Sequence, residues 1–153
     1  MSVVPQKTLI LNNAKSGDLL LLTKPLGTRQ ATNLKESLVK DNQLWKDCQT
    51  IQIKSWLANY AYEQAVKHMT TLNIYAASLM KKYKASGSTD ITGFGILGHT
   101  KNLVLAQKRK VDFVIDYLPV IVGMAKVDKV ANYGLLKGIS AETSGGLLII
   151  IPK

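Results

Sequence analysis

The spacing of hydrophobic and polar positions changes several times along the chain, and each change marks an element. Leu9–Leu11 is a short apolar run that reads as a strand end. Asn12-Asn13-Ala14-Lys15-Ser16-Gly17-Asp18 is a cluster of turn-forming residues, and the apolar run Leu19–Thr23 behind it predicts a strand that Pro25 and Gly27 stop. Thr28 is placed to cap a helix reaching about Lys40, with Ala31, Leu34 and Leu38 on one face. Leu57, Ala61, Ala65, Met69, Leu72, Ala76, Leu79 and Tyr83 recur every three or four residues. They predict one long helix from about Ser55 to Lys84 with a single buried stripe, in which Met69, Tyr75 and Met80 serve as core. Ala85–Thr92 reads as a loop, and a second helix runs from Phe94 to about Lys108. Val111, Phe113 and Ile115 alternate with Asp112 and Asp116, which predicts a strand over Val111–Leu118. Pro119 opens a short helix from Val120 to about Tyr133, and a Gly-rich connection leads to the strand Leu147–Ile151. Strands interleaved with helices imply an α+β (layered α/β) fold, a mixed sheet packed with helices.

Composition narrows the class. The 153 residues suit a single domain, 1–153, and 46% hydrophobic content is enough to build a core. The lone Cys48 excludes a disulfide framework. The longest purely apolar run, Leu147–Ile151, is far short of the roughly 18–20 residues that span a bilayer, so no membrane association is expected. The sequence from Met1 to Lys7 lacks the apolar core of a secretory signal, which makes the cytoplasm the expected compartment.

Lys and Arg number 20 against 10 Asp and Glu, a net charge of +10 that raises the alternative of a basic nucleic-acid-binding module. Only Arg29 and Arg109 are arginines, however, and bidentate readout of bases or phosphates favours arginine. The clusters Lys81-Lys82-Tyr83-Lys84 and Lys108-Arg109-Lys110 lie at predicted helix ends, where cations suit the helix dipole without any partner. A solvated basic face is therefore the expectation.

The richest segment chemically is Gly87–Gly98. Its Gly93-x-Gly95-x-x-Gly98 is a literal dinucleotide fingerprint, with Asp112 and Asp116 downstream. The residues ahead of the first glycine, Ser88-Thr89-Asp90-Ile91-Thr92, are not the apolar strand that the fingerprint requires, so such a site is not expected. Two readings stay open for Asp90. It stands ahead of a helix N-terminus, where a carboxylate takes a hard cation such as Mg²⁺ and amide N–H groups attract phosphate; or Asp90 or Thr92 simply caps that helix. In Glu142-Thr143-Ser144-Gly145-Gly146 the paired glycines permit a close backbone approach, or simply a turn into the last strand. His68, His99 and Cys48 form no zinc-like spacing, and Cys48 lacks an activating base. Neither a Walker motif nor a G-x-S-x-G nucleophile elbow occurs.

Four segments together resemble one family: Gly17-Asp18 leading to Thr23-Lys24-Pro25-Leu26-Gly27, then Leu72-Asn73, then Thr89-Asp90-Ile91-Thr92-Gly93-Phe94-Gly95 with Gly98-His99, then Glu142-Thr143-Ser144-Gly145-Gly146. In order and spacing they resemble the C-terminal domain of selenophosphate synthetases (selenide, water dikinases), of the aminoimidazole-ribonucleotide-synthetase superfamily. The resemblance covers about Asn13 to Ile151. It implies conversion of ATP, selenide and water to selenophosphate, AMP and phosphate, with Mg²⁺ on the phosphates, in support of selenocysteine synthesis. It implies Asp90 as a magnesium ligand, with Thr89, Thr92, Gly93 and Gly95 around the phosphate end of the site and Lys24 facing an interdomain cleft. The family's catalytic Cys or selenocysteine lies in an N-terminal ATP-binding domain, through which the family dimerises. Nothing here matches that domain, so no catalytic nucleophile is expected in this chain. The family also continues past the last strand, so the expectation is a chain short at both ends and inactive alone. Another ATP-dependent enzyme of the superfamily is the nearer alternative.

Overall fold

The computed structural model describes residues 12–153, so the strand end read at Leu9–Leu11 lies outside the described residues. Strand β1 (Leu19–Leu22) is followed by four helices: α1 (Thr28–Lys40), α2 (Gln43–Thr50), α3 (Ser55–Thr70) and α4 (Ile74–Lys82). Then come β2 (Gly87–Asp90), α5 (Gly95–Leu105), α6 (Met124–Ala131) and β3 (Leu147–Ile151). The expected α+β arrangement is present, with helices packed around a three-stranded sheet of order β1-β3-β2. That sheet is wholly antiparallel rather than mixed; the one parallel pairing among the described residues is an isolated bridge between Leu26 and Val120.

β3 takes the centre because all five of its residues are apolar, and Leu148, Ile149 and Ile150 are buried on alternate faces. Along β1, Leu20 and Leu22 turn to the core while Leu19 and Leu21 face out. β2 occupies the segment expected to be a loop. Gly87-Ser88-Thr89-Asp90 carries no apolar alternation, and its extended form is imposed by pairing with β3, Gly87 opposite Ile150 and Asp90 opposite Leu147. A strand thus does precede the Gly93-x-Gly95-x-x-Gly98 run. It is polar and antiparallel to its neighbour, so the parallel strand–helix–strand unit of a dinucleotide site is still missing.

The long predicted helix is two. α3 ends at Thr70, Thr71 turns extended (ψ 116), and α4 begins at Ile74. The hydroxyls of Thr70 and Thr71 donate to the carbonyls of Val66 and Lys67, competing with the amides that would continue the helix. Of the predicted stripe only Ala61 and Ala65 are buried, with Leu57, Met69 and Ala76 half-buried. Leu72 is 65% exposed and Tyr75, read as core, is 70% exposed, whereas Met80 is buried. Helix α2 was not anticipated. Asn42 caps it by accepting from the Trp45 amide at 3.2 Å, and it buries Trp45 and Cys48.

Val111–Leu118 keeps its alternation, with Val111, Phe113 and Ile115 half-buried and packed on the core, but no strand pairs with it among the described residues. A cavity of about 630 Å³ lies between this segment and β1, lined by Lys15, Asp18, Leu20, Arg109, Phe113 and Asp116 among others. The final predicted helix begins later than Pro119 implies. Val120 is held in the bridge to Leu26, and Gly123 (φ 84) precedes α6. The core is closed by α1 against α3, where fully buried Leu34 and Ala31 meet Ala58, Ala61 and Ala65; alanine lets the two helix backbones come close. No helix is long and apolar enough to cross a membrane among the described residues.

Candidate functional site

The chain brings three of its motifs to one end of the sheet. Thr23 and Lys24 leave β1 there, Gly145 and Gly146 enter β3, and Asp90 and Ile91 leave β2. The Thr23 amide donates to the Leu147 carbonyl (3.0 Å), the Leu147 amide to Thr23 Oγ1 (2.8 Å), and the Ile91 amide to the Gly146 carbonyl (2.9 Å). The close approach that the paired glycines permit is made by the chain itself. A Cβ on Gly146 would sit 2.7 Å from the Lys24 backbone nitrogen, and one on Gly145 would run into the Ile91 carbonyl.

The segment ahead of β3 is tied down from every side. Lys24 Nζ donates to the Ser144 carbonyl (3.1 Å) and Asn73 Nδ2 to that of Gly145 (3.0 Å), while the Thr143 amide donates to Thr28 Oγ1 (3.1 Å). Side chains from β1's exit and the α3–α4 break thus take two successive carbonyls, and Thr28 of α1 takes the amide just ahead of them. Glu142 completes the tie. Its carboxylate accepts from the Gly27 amide (2.7 Å), the Thr28 amide (2.8 Å) and Thr28 Oγ1 (2.7 Å). The cap of α1 is therefore Glu142, from 114 residues away, and not Thr28; Thr28 is the first helical residue, and Gly27 (φ 102) holds the N-cap position. Burial pushes the Glu142 carboxyl above its ordinary range, and its three donors offset part of that rise.

Asp90 is exposed at the end of β2. Thr92 Oγ1 donates to its Oδ2 at 3.1 Å, while Thr89 Oγ1 turns to the Asp90 main-chain carbonyl at 3.2 Å. The other carboxylate oxygen has no protein partner among the described residues. The Thr92 carbonyl accepts the amides of Gly95 (3.2 Å) and Glu142 (3.0 Å), which joins this loop to the Glu142 tie. Gly93 is exposed with open space around it. Gly95 (φ 66) packs against the backbone of Gly138 and Ile139, and the Leu97 amide donates to the Gly138 carbonyl at 2.9 Å. The amides of Gly95 and Leu97 are thus already used inside the molecule rather than free at the helix start. Thr92 and the Phe94 amide both meet His99, a contact that the sequence did not reveal because seven residues separate Thr92 from His99.

Lys24 is only 7% exposed, and burial lowers its pKa from the ordinary lysine value. No carboxylate pairs with it among the described residues. His68 lies in the same region, its pKa lowered by burial and by the charges of Lys24 and Lys67. Cys48 is buried in α2, and burial with nearby Asp47 raises its thiol, the opposite of what activates a nucleophile. The lysine and arginine clusters at 81–84 and 108–110 are exposed. No group of three or more His, Cys, Asp or Glu could hold a metal among the described residues. A lone exposed carboxylate with one oxygen anchored and one free fits a shared hard-cation site, to which substrate oxygens and other carboxylates must contribute.

A family model described as AIR synthase related protein, C-terminal domain, matches residues 15–153. Among curated proteins, the chain is 46% identical over 151 residues to "Selenide, water dikinase 2" of Homo sapiens, an overlap of 97% of this chain and 33% of that protein. It is 43% identical over 151 residues to "Selenide, water dikinase" of Trypanosoma brucei brucei, covering 97% and 38% respectively. With the protein of the same name from Dictyostelium discoideum it shares 46% over 143 residues, 92% of this chain and 39% of that one. The chain thus spans about a third of the length of the curated relatives it matches.

Proposed function

The chain belongs to the AIR synthase related family, as its C-terminal domain, and from that premise we propose that it works as the C-terminal domain of a selenide, water dikinase. The reaction is the ATP-dependent formation of selenophosphate from selenide and water, with AMP and phosphate as the other products. The observation that carries the reading is the exposed Asp90 carboxylate, anchored on one oxygen by Thr92 at the sheet end where the family-like motifs meet.

Asp90 is the residue that would hold Mg²⁺. The ion, when bound, neutralises phosphate charge and orients the phosphate oxygens. Thr92 fixes the carboxylate, and Thr89 and Gly93 stand beside it at the mouth of the site. Gly95 sets the turn into α5 against Gly138. Lys24 belongs to the same end of the sheet; its ammonium holds the Ser144 carbonyl and raises the positive potential there. The nucleophile and the remaining acids for Mg–ATP would come from an N-terminal ATP-binding segment. One carboxylate alone is too little for a tightly held Mg²⁺, so this chain by itself is expected to be inactive. A cytoplasmic setting and a homodimer of the complete enzyme complete the proposal.

The test is Asp90→Asn in a full-length counterpart, with selenophosphate formation measured across Mg²⁺ concentrations. Loss of a direct ligand should cost at least as much as loss of a supporting one, so a drop of about 100-fold is expected. Full activity in that variant removes Asp90 from the site. An enzyme-like rate of selenide-dependent ATP hydrolysis by the 153-residue chain alone would overturn the shared-site reading.

A further inference from the structure

Among the described residues, the Asp90 carboxylate is linked to the interior by a single hydroxyl. Thr92 Oγ1 lies 3.1 Å from Asp90 Oδ2 and 3.2 Å from His99 Nε2. His99 sits in the second turn of α5, 8% exposed, its ring 5.5 Å from that of Phe94 and tilted 47° to it. The Phe94 amide points at the same Nε2 from 3.4 Å, the longest of these contacts. Three groups meeting at one hydroxyl and one ring nitrogen leave few ways to place the protons.

If Nε2 bears a lone pair, it accepts the Phe94 N–H or the Thr92 O–H, and a hydroxyl spent on the ring is lost to the carboxylate. If Nε2 bears a proton, it donates to Thr92 Oγ1, and the hydroxyl proton is free for Asp90 Oδ2. Only the second pattern makes both of the shorter contacts good hydrogen bonds at once, giving up the longer one from the Phe94 amide, and it runs in one direction from ring to hydroxyl to carboxylate. We infer that His99 is a positioning residue: with Nε2 protonated, it orients the Thr92 hydroxyl as a donor and thereby holds the Asp90 carboxylate in one rotamer with its other oxygen open to a cation. The cation part rests on the function proposed above; the rotamer part does not.

The two parts separate in NMR of the 153-residue chain, which reads the Hα–Hβ couplings of Asp90 and the Mn²⁺ concentration that broadens its amide. The variants are His99→Leu, His99→Gln (which keeps an N–H near the Nε2 position), Thr92→Val, Thr92→Ser, Asp90→Asn and the double variant His99→Leu/Thr92→Val. Wild type, His99→Gln and Thr92→Ser should show one Asp90 rotamer. His99→Leu and Thr92→Val should show averaged couplings and need about tenfold more Mn²⁺, and the double variant should be no worse than Thr92→Val. Thr92→Val leaves the buried ring in place, so it reads the link even where His99→Leu disturbs folding. An unchanged Asp90 rotamer in Thr92→Val, or in a folded His99→Leu, overturns the inference, as do effects that add in the double variant. Broadening that persists in Asp90→Asn overturns the metal reading instead, and the couplings still decide the role of His99.

Discussion

Burial and hydrogen bonding oppose each other at Glu142, and burial wins, so its carboxyl titrates higher in the folded chain than in the unfolded one. The folded state then holds this proton more readily. The stabilisation from that proton is fully present below the unfolded carboxyl value and is lost as pH rises through the folded one. Glu142→Gln cannot ionise, and its single oxygen cannot serve all three donors, which costs about 1–3 kcal/mol. Urea unfolding from about pH 4 to pH 7 should therefore show wild type more stable throughout, with its advantage over the variant shrinking as pH rises; a growing advantage would reverse the assignment. Asp90 and Thr92 were legible as candidates because they are neighbours in the chain. Glu142, Asn73 and His99 were present in the quoted motifs, but their roles depend on partners 72 to 115 residues away, or, for His99, on Thr92 and Phe94 in the loop ahead of its helix, which spacing alone does not encode.

Among the elements, the helix that proved to be two shows why periodicity misleads. Residues 71–73 span nearly the 3.6 residues of a helical turn, so the apolar phase carries across the break as if the helix continued. The side chains of Thr70, Thr71 and Asn73 decide otherwise. Alternation misleads in the same way at Val111–Leu118, since it reports which side faces the core and not whether a neighbouring strand exists. Among the described residues β1 is consequently an edge. Its Thr23 amide bonds to the Leu147 carbonyl, and by antiparallel alternation Leu21 also faces β3 while the amides of Leu20 and Leu22 point outward. Hydrogen exchange should find Leu21 protected and Leu20 and Leu22 faster by orders of magnitude. Equal protection across the three would mean that the outer edge is paired.

For the molecule as a whole, the α+β class and the core positions Ala31, Leu34, Ala61 and Ala65 were readable from the apolar pattern. The polar strand β2 and polar helix α2 were not, because tertiary contacts and a single cap override weak local preference there. Leu34, fully buried between α1 and α3, anchors that packing. Leu34→Ala should cost about 2–5 kcal/mol, read as a lowered denaturant midpoint with unchanged slope. A cost under 1 kcal/mol would show that α3 closes over the gap.

The cap that Glu142 gives to α1 also carries a consequence for biosynthesis. Thr28 is translated 114 residues before its carboxylate partner. At about 5–20 residues per second, the start of α1 waits roughly 6–23 s on the ribosome for the group that satisfies it. During that interval β1 lacks β3, and Lys24 and Asn73 lack the carbonyls they hold. The helices between β1 and β3 are therefore made before the sheet end can close, which waits until Glu142 and β3 have been synthesised.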